Sequence, residues 1–173
     1  LILGHQKPII VLKIFGNNME KNLFNKNLDL YLSSLKNAFT AENKNEIFRL
    51  AKEIQNIWSK GKKVFICGNG GSAANAIHMA NDFLYGIGID NKKKVAGLKV
   101  EALPSNTAVL TCLANDVGYE HIFSEQINVK GNEGDLLIVL SGSGNSQNVI
   151  NAIEEAHKLK INTFSVVAFD GGK

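Results

Sequence analysis

His78 and Asp82 stand four residues apart in a helical stretch and so share one helix face. An imidazole and a carboxylate placed together can hold a divalent metal, or the carboxylate can take a proton from a carbon next to a carbonyl. Spacing alone favours a surface hydrogen-bonded pair, and position is what argues for chemistry. The stretch opens at Gly68-Asn69-Gly70-Gly71-Ser72, a glycine-rich loop behind the apolar run Lys63 to Cys67. A second loop, Ser141-Gly142-Ser143-Gly144-Asn145-Ser146, follows the run Asp135 to Leu140. Such loops present backbone N–H groups and hydroxyls at the positive end of a helix, which suits a phosphate without Lys or Arg. In the second loop, N–H groups near Asn145 and Ser146 and the hydroxyls of Ser141, Ser143 and Ser146 are the expected donors. Two such loops in one chain point to a phosphorylated, polyhydroxylated ligand. Asn115 and Asp116 close a further helical stretch, where capping and contact with sugar hydroxyls both account for them.

Competing chemistries fit less well. Gly68 to Ala73 also matches the dinucleotide pattern G-x-G-x-x-A. That pattern needs an acidic residue about 20 positions on, at the end of the next strand. Asp90 falls in a turn-rich segment and Glu101 in mid-strand. A tight turn with no ligand stays open for either loop. Ser141 and Ser143 lack a His/Asp relay and a G-x-S-x-G elbow, which argues against hydrolase chemistry. His5, His121 and His157 form no metal spacing. Cys67 and Cys112 each sit in an apolar stretch outside any C-x-x-C pair, and read as buried thiols in a reducing, cytoplasmic compartment.

The elements that must position these groups alternate. Leu28, Leu32, Leu35 and Phe39 recur at helical spacing, as do Ile47, Leu50, Ala51, Ile54, Ile57 and Trp58. Strands are expected at 64–67, 99–103, 136–140 and 163–169. Helices are expected at 72–85, 106–115, 120–126 and 147–159, with a turn-rich excursion over 86–94. This order predicts an α/β fold, a mostly parallel sheet with helices on both sides and both loops at its carboxyl edge. The chain has 173 residues, is 45% hydrophobic and 20% charged, and carries a net charge of +3, values that suit one soluble domain. Lys92-Lys93-Lys94 is the only dense basic run and reads as a solvated turn, so no nucleic-acid partner is expected. Ile9 to Leu12 is too short to span a bilayer, and no membrane partner is expected. Residues 1–18 read as a non-native or disordered leader before Met19. The stop at Lys173, directly after a strand, reads as a truncated C-terminal part.

Taken together, Gly68 to Ala74, His78, Ala114-Asn115-Asp116-x-Gly118-Tyr119, Gly134-Asp135-x-Leu137, Ser141-x-Ser143-Gly144-Asn145-Ser146-x-Asn148-Val149 and Gly171-Gly172 resemble the sugar-isomerase (SIS) domain of phosphoheptose isomerases. The likeness runs from about Met19 to Lys173. It implies a flavodoxin-like three-layer α/β/α sandwich, a single SIS domain over 19–173 and a homotetramer. It further implies isomerisation of sedoheptulose 7-phosphate to a heptose 7-phosphate, toward lipopolysaccharide or capsule. By motif, Asn69, Gly70, Gly71 and Ser72 would line the sugar, and Asn115 and Asp116 would meet its hydroxyls. Ser141, Gly142, Ser143 and Ser146 would hold the phosphate, and His78 would match a Zn2+ ligand. Asp82 would take the place of the family's glutamate as substrate contact, metal ligand and acid/base. Three departures accompany the match. Asp82 is one methylene shorter than Glu, Gly142 replaces a Thr, and the family's remaining Gln and His lie beyond Lys173. A non-catalytic SIS protein that binds a sugar phosphate or a replication initiator is the alternative these departures leave open.

Overall fold

β2 (Lys63–Gly68) and β6 (Leu136–Ser141) lie side by side in the middle of a parallel sheet, with Val64 opposite Leu136 and Gly68 opposite Leu140. Both are uninterrupted apolar runs because both of their faces are covered. The two-residue period of a strand sends Phe65, Cys67, Leu137 and Val139 into one layer with Phe123, Ile127 and Val149. Val64, Ile66, Leu136 and Ile138 go into the other, with Ile57, Ala76 and Phe164. Each fully buried large apolar side chain contributes roughly 1.5–3 kcal/mol, so these two layers hold the sheet in place.

The computed structural model describes residues 21–86, 89–90, 93–94 and 96–172, together with the two-residue strand at 2–3. Its order is β1 (Ile2–Leu3), α1 (Lys21–Ala38), α2 (Ala41–Ser59), β2, α3 (Gly71–Leu84), β3 (Ile89–Asp90), β4 (Lys93–Lys94), β5 (Lys99–Ala102), α4 (Thr107–Asp116), α5 (Ser124–Lys130), β6, α6 (Gln147–Lys158) and β7 (Asn162–Ala168). The main sheet runs β1-β7-β6-β2-β5 with every pairing parallel. From β2 the chain crosses outward to β5, then returns to β6 on the far side and continues to β7. The order therefore reverses between β2 and β6, the place where open α/β sheets bind ligands. Met19, His5, Lys92 and all of the expected leader except Ile2–Leu3 lie outside the described residues.

Three expectations change. The helix expected over 120–126 divides into a 3₁₀ turn at Tyr119–His121 and α5, which starts four residues later. The excursion after α3 contains the antiparallel pair β3 and β4. Cys67 is buried, with burial pushing its thiol up to about 12, but Cys112 is exposed. The apolar surroundings of Cys112 in sequence misled because α4 lies on the surface and buries none of its residues.

Asp135 joins the two halves of the sheet at its amino edge. Its carboxylate is buried and accepts from the N–H groups of Lys63 and Asn132, both at 2.9 Å. In contrast, α1 buries none of its residues, and Leu28, Leu32 and Leu35 remain 43%, 51% and 46% exposed. No helix among the described residues is long and apolar enough to cross a membrane.

Candidate functional site

Both glycine loops leave the carboxyl ends of neighbouring central strands, at the reversal between β2 and β6. Gly68 closes β2 where a Cβ would lie 2.5 Å from the Leu140 carbonyl oxygen and 2.7 Å from Ser72 Cβ. Only glycine lets β2, β6 and the start of α3 come this close. Gly70, at φ +55°, caps α3 without any side-chain bond, and a Cβ on Gly70 or Gly71 would meet nothing within 4 Å. The first turn of α3 therefore opens into free space with its dipole facing the crevice.

In the second loop the serines organise the backbone before any ligand arrives. Ser141 Oγ accepts from Gly144 N–H at 3.1 Å, and Ser143 Oγ from Asn145 N–H at 3.2 Å. The Asn145 N–H, expected to face a phosphate, is thus engaged within the loop. Each hydroxyl accepts in these bonds and keeps its own proton for donation outward. Ser146 caps α6 with no side-chain bond. The loop rests on the turn after β7: Gly144 and Gly172, at φ +70° and +74°, pack backbone to backbone, so a Cβ on Gly172 would sit 2.6 Å from Ser143 O.

An amide pair ties the loops together. Asn69 Nδ2 donates to Asn148 Oδ1 at 2.9 Å, and Asn148 Nδ2 donates back to Asn69 Oδ1 at 2.8 Å. Tyr119 Oη adds a bond to Asn69 Oδ1 at 3.1 Å. Asn148 is buried and follows the buried stripe of Val149, Ala152 and Ala156 on α6. A polar residue on that stripe was a usable signal, but no partner 79 positions away can be read from spacing. Tyr119 and Gly171–Gly172 entered the sequence reading only as parts of a motif.

His78 and Asp82 share a face of α3 as expected, with Nε2 and Oδ2 3.5 Å apart and both side chains exposed. Asn115 donates to Asp116 Oδ1 at 2.8 Å, and the Cys112 thiol lies 3.4 Å from Asp116 Oδ2. These two contacts, the Asn115 bond first, hold the Asp116 carboxyl below its usual range. The Gly118–Tyr119 turn, two residues after α4, carries the chain to Asn69. For zinc, His78 and Asp82 are donors of the right chemistry, but a zinc site takes three or four protein ligands. Among the described residues no group of three His, Cys, Asp or Glu converges, so the donors present do not complete such a site.

Two phosphate-compatible loops at the switch point of a parallel sheet define a class, and sequence comparison gives it a name. The SIS-domain family model matches residues 30–168, and the chain belongs to the SIS-domain family. Within it, the chain is similar to phosphoheptose isomerases. It is 42% identical to that of Fusobacterium nucleatum over 76% of this chain and 66% of the relative, and 38% identical to that of Pelodictyon phaeoclathratiforme over 83% and 67%. Among solved structures, the phosphoheptose isomerase of Neisseria gonorrhoeae superposes with a TM-score of 0.73 at 31% identity, covering 86% of this chain and 77% of that one. That of Francisella tularensis gives 0.74 at 30%, covering 89% and 78%. The chain spans about two thirds of the length of the curated relatives it matches.

Proposed function

We propose that this SIS domain isomerises sedoheptulose 7-phosphate to D-glycero-D-manno-heptose 7-phosphate, an aldose–ketose step in heptose biosynthesis for lipopolysaccharide or capsule. The observation that carries the reading is the placement of both loops at adjacent strand ends, joined by the Asn69–Asn148 pair. The likeness to phosphoheptose isomerases supports the choice of sugar. Ser141, Gly142, Ser143 and Ser146 hold the phosphate through hydroxyls and N–H groups. Asn69, Gly70, Gly71 and Ser72 line the sugar from the opposite loop, with Asn115 and Asp116 toward its hydroxyls. Asp82 is the acid/base group: its carboxylate takes the proton from the hydroxyl-bearing carbon beside the carbonyl to give an enediolate, a proton passes from that carbon's hydroxyl to the former carbonyl oxygen, and Asp82 returns its proton to the former carbonyl carbon. A zinc ion would polarise that carbonyl, with His78 and Asp82 as its donors from this chain.

Proton NMR of the full chain with sedoheptulose 7-phosphate in deuterated buffer tests this. The expected result is an aldose product carrying deuterium at the carbon next to the aldehyde. The absence of both product and exchange would overturn the isomerase reading.

Within the same reading the protein is cytoplasmic and assembles as a homotetramer. Support for assembly comes from α1, an amphipathic helix with its apolar stripe uncovered. Introducing Leu28→Glu and Leu32→Glu together should convert the oligomer to monomer in light scattering, while the far-UV dichroism stays unchanged. An unaltered mass would exclude α1 from the interface.

A further inference from the structure

The Asn69 amide is nearly saturated by protein. Its Oδ1 has two lone pairs and accepts from Asn148 Nδ2 and Tyr119 Oη, while one of its two N–H groups donates to Asn148 Oδ1. A single N–H remains for any ligand, which is little for a residue expected to line a sugar. The bonds run instead between the three segments that border the crevice: the first loop, the turn after α4 and the first turn of α6. The buried Asn148 side chain forms a closed two-bond ring with Asn69, a geometry that fixes both distance and angle.

From this clasp we infer that Asn148 and Tyr119 are positioning residues, which hold Asn69 so that the sugar loop and the phosphate loop act at a fixed separation. The inference rests on the sugar-phosphate reading of the site. A phosphate alone touches one loop and is indifferent to that separation. A sugar phosphate must reach both, and its extra affinity over inorganic phosphate depends on the two halves being in register. The bonds that shape the second loop, Gly144 N–H to Ser141 and Asn145 N–H to Ser143, do not pass through Asn69. Loosening the clasp should therefore weaken the sugar phosphate and spare phosphate. Misplacement by about 1 Å costs on the order of a hundredfold in a positioned reaction.

The test is calorimetric titration of wild type, Asn148→Ala and Tyr119→Phe with sedoheptulose 7-phosphate and, separately, inorganic phosphate, with turnover measured in parallel. Tyr119→Phe removes only an exposed hydroxyl and guards against a folding defect in the buried variant. Expected is a fall of at least tenfold in the ratio of sugar-phosphate to phosphate affinity for Asn148→Ala and of about threefold for Tyr119→Phe, with phosphate affinity within twofold of wild type. Equal losses for both ligands would mean that Asn148 merely supports α6, and unchanged ratios would mean that the clasp does nothing; either overturns the inference. Wild type that binds the sugar phosphate without turning it over would refute isomerase activity and leave the affinity ratio to judge the clasp. Wild type that binds neither ligand would overturn both.

Discussion

Replacing Asp82 by Asn is expected to lower turnover of the sugar phosphate by between about a hundred- and ten-thousandfold, the range general acid–base groups supply. The exchange keeps the size of the side chain and removes only its capacity to take a proton. Asp82 projects from α3 with its carboxylate exposed beside His78, and no bond ties it to the second loop. Affinity for inorganic phosphate should therefore stay within twofold. Asp82→Glu extends the same carboxylate by one methylene and should retain activity well above the Asn variant. Steady-state kinetics with phosphate inhibition separates the outcomes. Full activity in Asp82→Asn would remove the acid/base assignment. Wild type that grips the sugar phosphate without converting it would favour the non-catalytic binder.

Gly144→Ala should be costly in a different currency. Its φ of +70° belongs to the left-handed region, where a Cβ costs roughly 1–2 kcal/mol. The new Cβ would also press on the Gly171 carbonyl and lie 3.0 Å from Gly172 Cα. Backbone on both sides cannot rotate away as a side chain can, and such overpacking adds typically 1–3 kcal/mol. A total of about 2–5 kcal/mol should appear as a lower denaturant midpoint at constant slope, accompanied by at least a tenfold loss in phosphate affinity. Gly71→Ala is the matched stability control, since a Cβ there meets nothing within 4 Å and its change should stay within about 0.5 kcal/mol. If Gly144→Ala is as stable as wild type, the glycine turn is not what shapes the phosphate loop.

The architecture was legible because its signals are local. The apolar runs ending at Cys67 and Leu140 read as strands, and a glycine-bearing loop followed each, Gly68 directly and Gly142 after Ser141. α3 and α6 begin within a residue of their expected starts, at Gly71 and Gln147. What stayed hidden depends on contacts between distant parts of the chain. Cys112 looked buried among apolar neighbours, yet burial is decided by where α4 lies and not by the residues beside it. The Asn145 N–H looked available until Ser143 was seen to take it. Asn148 and Tyr119 gained a role only when folding brought both to Asn69. Hydrogen bonds across 79 and 50 positions leave no periodic trace in sequence.

A crystal structure of the protein with sedoheptulose 7-phosphate tests the central claim most directly. The account predicts one ligand spanning the β2/β6 reversal, its phosphate within hydrogen-bond reach of Ser141, Ser143 and Ser146 and its carbon chain against Asn69 to Ser72, with Asp82 beside the carbonyl end. A phosphate seated outside the Ser141–Ser146 loop, or a sugar lying away from the first loop, would contradict it.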